Sequence, residues 1–229
     1  NKMGQMALGY GSEFHLLRWL GRHRNEFDKR LKLLLGIDNI SWLDFNFDSE
    51  KTIPDKEIIG LKFLDENVYE SVISTWKKEW PQTGNSMNWD LVGFTENQGE
   101  KTYILIEAKA HLGELEQNCG ASPENLTKIE KALAESAKRN GITIIDKNPW
   151  TKKYYQLANR IYILDLLKRH NIKAILVNIY FIGDMCSKNR NSPQNRRDWQ
   201  TKGDDMKKYL NIEKLTTLEI RDLFLEIDK

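Results

Sequence analysis

An α/β fold, with helices covering a central mixed sheet, is what this chain predicts, and three observations predict it. Two β-favouring runs, residues 88–94 and 101–111, flank a polar stretch containing Gly99, the pattern of an antiparallel hairpin. Behind the hairpin come long helical segments and then a Val/Ile-rich run over 173–182 that reads as a buried strand. A hairpin, a crossover helix and a further buried strand make a mixed sheet with helices packed on it. Third, 229 residues are enough for one such domain. No repeat, low-complexity tract or linker divides them, so residues 1–229 are read as a single domain.

In chain order, residues 11–24 form a helix with Leu16, Leu17 and Leu20 on one stripe, and residues 30–35 extend or follow it. Residues 41–47 alternate like a short strand; the first strand of the sheet lies either there or in 80–84. Residues 67–80 carry a helical apolar pattern that stops at Pro81. After the hairpin, Ser122 is a natural N-cap, Pro123 suits the first helical position and Glu124 the first turn. That helix ends at Asn140-Gly141. A long helix is expected over 150–170, a strand over 173–182, then a basic loop and helix, and a strand or short helix over 218–227.

Charge and composition exclude several classes. The formal net charge is +2, with 30% charged residues, so no global basic field announces a polyanion and charge must be judged cluster by cluster. Mean hydropathy is −0.62. No apolar run approaches the ~20 residues of a membrane span, and no secretory leader pattern opens the sequence. Cys119 and Cys186 lie far apart and are read as buried, reduced thiols, which suits a cytoplasmic setting.

The chemistry gathers on the hairpin. If its turn centres between Gln98 and Gly99, antiparallel partners have numbers summing to 197, and Asp90 lies opposite Glu107. Directly opposed residues have Cβ atoms roughly 4.5–5.5 Å apart, near enough for two carboxylates to share a cation. Alternation sends Tyr103, Leu105, Glu107 and Lys109 to one face and Ile104, Ile106, Ala108 and Ala110 to the other. The small Ala108 leaves its carbonyl approachable as a third oxygen ligand. Such a set suits Mg²⁺, which takes one or two carboxylates and completes its shell with water and phosphate. Lys109 is placed to orient or deprotonate a water, or to neutralise charge on a phosphoryl group. Without a cation the two carboxylates should repel, so removing either is expected to stabilise the metal-free protein. The alternative is a surface hairpin with an ordinary Glu–Lys pair, against which stands the apolar Tyr103-Ile104-Leu105-Ile106 run.

An acid, a hairpin and then Glu107-Ala108-Lys109 resemble the PD-(D/E)xK nuclease superfamily, the restriction-endonuclease-like fold. Trp89 stands where that motif often has proline, and the literal Pro54-Asp55 lies in a polar stretch away from the acid-x-Lys strand. The resemblance implies an αβββαβ core with the site on its second and third strands. It implies Mg²⁺, with Mn²⁺ as a substitute, held by Asp90, Glu107 and the Ala108 carbonyl, and hydrolysis of DNA with Lys109 as the third catalytic element. It also directs attention to Glu13, read as falling on the apolar stripe of the first helix, where many members place a glutamate near the metal; the alternative is a first-turn acid favoured by the helix dipole. Gln156 is a similar candidate, since several branches carry a helix glutamine beside the site. Gln156, Asn159 and Arg160 share one helix face, which otherwise reads as polar and outward.

His15, off the stripe, reads as a surface residue, and His111 joins the face of Glu107 and Lys109 if the strand continues. A basic, Asn-rich loop carries Lys188, Arg190, Arg196, Arg197 and Lys202, with Trp199 as a stacking surface. This suits phosphate contacts, with Lys152 a further one; the alternative is a solvated loop. The expected function is Mg²⁺-dependent phosphodiester hydrolysis. The other reading is a catalytically silent nucleic-acid-binding or interaction module of the same fold. DNA is the expected partner, a homodimer is left open, and neither a membrane nor a nucleotide cofactor is expected.

Overall fold

The Gln98-Gly99 turn organises the sheet. Both residues have positive φ, 51° and 80°, the two-residue turn whose twist matches that of paired strands. It joins β4 (Leu91–Asn97) to β5 (Glu100–Lys109), which pair antiparallel from Leu91↔Ile106 to Asn97↔Glu100. Every pair sums to 197, the predicted register. The computed structural model describes residues 10–45, 57–84, 87–184 and 191–227.

Around the hairpin the sheet has the order β1-β4-β5-β6-β7. The first strand, β1 (Ser41–Trp42), is antiparallel to β4; residues 80–84 are not a strand. The other side is parallel: β6 (Lys173–Ile182) runs beside β5, and β7 (Glu219–Glu226) beside β6. The sheet is therefore mixed, and the terminal segment is a strand. A two-stranded antiparallel ribbon, β2 (Ile58–Ile59) with β3 (Asn88–Trp89), stands next to the entry of β4. No periodicity could have announced strands of two residues.

Among the described residues six α-helices cover the sheet. α1 (Gly11–Arg22) and α2 (Arg24–Leu35) supply Leu16, Trp19, Leu20, Phe27 and Leu31 to the face of Ile104, Ile106, Ala108 and Ala110. α3 (Glu66–Glu79), α4 (Pro123–Arg139), α5 (Tyr155–Arg169) and α6 (Arg196–Leu210) build a larger core on the face of Tyr103 and Leu105. The predicted alternation of β5 thus divides two cores. Ser122 caps α4, accepting from the Asn125 N–H at 3.5 Å, with Pro123 at the first position. α5 starts later than the pattern suggests: Tyr154 has φ 58°, so 150–154 form a turn and the helix opens at Tyr155. Leu157 to Leu167 are all buried, so α5 is a core helix with no outward polar face. Among the described residues no helix is long and apolar enough to cross a membrane.

Candidate active site

β4 stops at Leu91, and the expected Asp90–Glu107 pair is not part of its ladder: the Asp90 N–H donates to the Ile106 carbonyl at 3.2 Å, one residue out of the register of the hairpin. β5 runs on for three residues past Ile106 with its β4 side unpaired. Asp90 fills that gap, its Oδ2 accepting the Ala108 N–H at 2.6 Å. In a strand the N–H and C=O of one residue point to the same side, so the Ala108 carbonyl also faces the edge where Asp90 sits.

Glu107 and Lys109 project together from the sheet face opposite to the Ala108 side chain, 5% and 7% exposed. A carboxylate and an ammonium this deep need partners, and the fold supplies them. Lys109 Nζ donates to Glu107 Oε1 at 2.7 Å, and Gln156 Nε2 donates to the same oxygen at 2.6 Å. Arg160 grips Oε2 with a fork, Nε at 2.9 Å and Nη2 at 2.7 Å. Arg160 is itself fixed by the Asn88 carbonyl at 2.5 Å, by Asn159 Oδ1 at 3.0 Å, and by the Trp89 ring 4.4 Å from its guanidinium carbon. The ribbon of β2 and β3 therefore positions the site: it holds Trp89 and Asn88 where they orient Arg160.

The two acids live in opposite fields. Burial, then the neighbouring Glu107 charge, pushes the Asp90 carboxyl up to about 7 despite Lys109 and the Ala108 N–H. Burial also pushes Glu107 up, but Arg160 and Lys109 outweigh it and hold that carboxylate below its usual range. Two buried cations thus neutralise one acid and leave the other, partly exposed, facing a cleft.

That cleft has a volume of about 660 Å³ and is floored by Asp90, Glu107 and Arg160. Among the described residues no three His, Cys, Asp or Glu side chains converge on a metal-sized point. A hard cation here would rely on Asp90, Glu107 and the Ala108 carbonyl. The oxygen set fits: Mg²⁺ needs no more than two carboxylates from a protein. Gln156 Oε1, buried and without a hydrogen-bond partner, is a further oxygen beside them. What the fit requires is that Glu107 share an oxygen now held by Arg160, Lys109 or Gln156.

Arg160 is the site residue that sequence reasoning missed, because a polar helix face was read as outward. Its signal was present: Gln156, Asn159 and Arg160 at i, i+3 and i+4 between apolar stripes. Glu13 lies elsewhere. The buried arc of α1 runs from Gly11 through His15 and Trp19 to Leu16 and Leu20, leaving Glu13 exposed past its edge, and α1 packs on the sheet face opposite to Glu107. His15 is buried against Phe181 and 3.5 Å from Asp184, not on the surface; burial lowers its pKa. β5 ends at Lys109, so His111 leaves the site face; its side chain accepts a backbone N–H in a short turn closed by Glu114. Cys119 is half-buried and lines the cleft, and Cys186 falls outside the described residues.

Of the basic positions, Lys188 and Arg190 fall outside the described residues. Arg196 and Arg197 open α6 exposed, Arg196 lying over the Phe224 ring, and Lys152 is exposed on the turn before α5. None of these three lines the cleft. Lys202 pairs with Glu116. Trp199 is 1% exposed and donates to the Phe181 carbonyl, so it anchors α6 and offers no stacking surface.

Set beside protein-family models, curated proteins and solved structures, the chain matches none.

Proposed function

We propose that the protein is a Mg²⁺-dependent phosphodiesterase acting on nucleic acid, with DNA as the expected substrate, in the manner of the PD-(D/E)xK nucleases. The observation that carries this reading is the pairing of Glu107 with Lys109 at the end of a buried strand, with Asp90 held beside them by the Ala108 backbone. Buried charges are costly to keep, and this cluster opens onto a cleft, where an ionic core has a use beyond stability. Its cytoplasmic setting belongs to the same proposal.

Mg²⁺, or Mn²⁺ in its place, would be held by Asp90, Glu107 and the Ala108 carbonyl and would supply Lewis-acid polarisation of a phosphoryl oxygen. Asp90 must shed its proton to serve as a ligand, which its raised pKa permits near neutrality. Lys109 donates one N–H to Glu107 and lies behind it, outside the lining of the cleft, so its two further donors would reach a phosphate oxygen only once the ammonium turns toward the cleft. Arg160 holds Glu107 in a single orientation, and the Trp89 ring excludes water behind it.

A second reading, a silent nucleic-acid-binding module of the same fold, is favoured by the saturation of Glu107 with four internal hydrogen bonds. Incubation with plasmid and oligonucleotides across a Mg²⁺ and Mn²⁺ titration separates the two. The enzyme reading expects metal-dependent cleavage, lost by orders of magnitude in Asp90→Ala and Lys109→Ala, with nucleic-acid affinity retained in the lysine variant. Wild type that binds neither ion by calorimetry would overturn it.

A further inference from the structure

The cleft is much larger than an ionic centre needs, and its walls differ from its floor. Around Asp90 and Glu107 carboxamides (Gln117, Asn118, Asn125, Asn159) and the hydroxyls of Thr83 and Ser122 predominate, with one further carboxylate, Glu57, and the apolar Trp80, Met87 and Ile129 completing the lining. The aromatic ring of Tyr155 stands beside them, half-buried. Among the described residues the one cation on its lining is Arg160, and that guanidinium is committed to Glu107, Asn88 and Asn159. A surface that tracks a phosphate backbone carries Lys and Arg. Neutral amides, hydroxyls and a ring are instead the equipment that reads an unpaired base by its edge and its π-face.

Size points the same way. A cavity of about 660 Å³ falls within the ~300–1,000 Å³ range of small-ligand sites. A cube of that volume is under about 9 Å on a side, narrower than the ~12 Å of a B-DNA major groove alone. A cleft of that volume matches one extruded or terminal nucleotide better than the cross-section of an intact duplex.

Resting on the phosphodiesterase reading, we propose that this amide-lined chamber receives an unpaired nucleotide next to the scissile phosphate. The substrate class is then single strands, flaps or frayed ends rather than intact duplex. The chamber selects by taking the base out of the stack, a step that is costly in a duplex and cheap in a single strand.

The test is fluorescence anisotropy with a labelled single-stranded oligonucleotide and the blunt duplex of the same sequence, in Ca²⁺, using the full chain. The single strand should bind at least about ten-fold more tightly. Gly120 lines the chamber, and a Cβ there would meet nothing within 4 Å. Gly120→Trp should therefore obstruct the chamber, abolish the ten-fold preference and leave the melting temperature unchanged. Should that variant fold poorly, Gln117→Ala with Asn118→Ala, both exposed positions, should weaken single-strand binding in the same sense. Equal or tighter duplex binding, undiminished single-strand binding in the folded variants, or no binding of either would overturn the chamber. Mn²⁺-dependent cleavage in wild type and Asp90→Ala is read in parallel. Selective single-strand binding without any cleavage would overturn the phosphodiesterase reading and leave the chamber standing.

Discussion

Asp90 and Glu107 look equivalent in the sequence and are opposites in the fold. Glu107 compensates two buried cations, so Glu107→Ala strands Arg160 and Lys109 and should cost about 3–5 kcal/mol. That reverses the expectation that losing either acid relieves repulsion. Asp90 is the acid that behaves so. Its folded pKa of about 7 lies above the usual 3.8, so the folded state keeps a proton that the unfolded chain sheds. Metal-free stability therefore falls as pH rises between those two values, and above about 7 the penalty is complete. Asp90→Asn should remove this slope and raise the melting temperature of the metal-free protein near pH 8, which a series of thermal melts across pH will read. In the same window Mn²⁺ affinity of the wild type should rise about ten-fold per pH unit below 7 and level off above it, because the ion competes with one proton. A flat affinity profile would remove Asp90 from the ligand set.

Among the elements, the hairpin was legible and α5 was not. The hairpin could be read because its turn residues and its alternation name the same register, and each side chain on β5 has only two faces to choose from. α5 gave no such constraint. A helix buried all round has no polar side to point at solvent, so Arg160 reads as surface until Glu107 is placed beneath it, although the resemblance already puts Gln156 beside the site. Glu13 failed for a related reason: Leu16, Leu17 and Leu20 suggest a stripe that takes in Glu13, whereas the buried arc turns from Leu16 and Leu20 toward His15, Trp19 and Gly11 and leaves Leu17 and Glu13 at its margin. The edge strand β1 was legible, but what admits it was not. A Cβ on Gly93 would lie 2.8 Å from Trp42 Cε3 and 2.9 Å from the Ser41 carbonyl. Backbone cannot yield as a side chain can, so Gly93→Ala should cost about 1–3 kcal/mol and loosen β1. Chemical denaturation will measure the loss. Faster amide exchange at Trp42 and Leu43 than in β5 should accompany it; Leu43 N–H bonds to the Val92 carbonyl.

For the whole molecule, two cores on the two faces of one sheet separate stability from the site. The larger core contains a second buried ionic centre, far along α5 from Gln156. Asp165, 3% exposed, accepts from Arg139 at 2.7 and 3.0 Å and from Asn140 at 2.9 Å, tying α5 to α4. Asp165→Ala should cost about 3 kcal/mol, the low end for breaking a buried pair, because the Arg139 side chain is 33% exposed and can rehydrate. Urea titration should show that loss while Mn²⁺ affinity stays as in the wild type. Lost metal binding would mean that the two centres are coupled through α5.

The Gln98-Gly99 turn sits about eight residues, roughly 25 Å, from Asp90 along its strand. It nevertheless acts as the ruler for the carboxylates, since any change in the sum of paired positions would carry Asp90 past Ala108. Yet Leu91, Val92, Ile104 and Ile106 are all buried, and a one-residue slip would turn them toward the wrong cores. An insertion at the turn is therefore expected to bulge outward instead of travelling down the ladder. The outer end of the hairpin is thus a place where the chain can lengthen, or carry a tag, without the chemistry noticing.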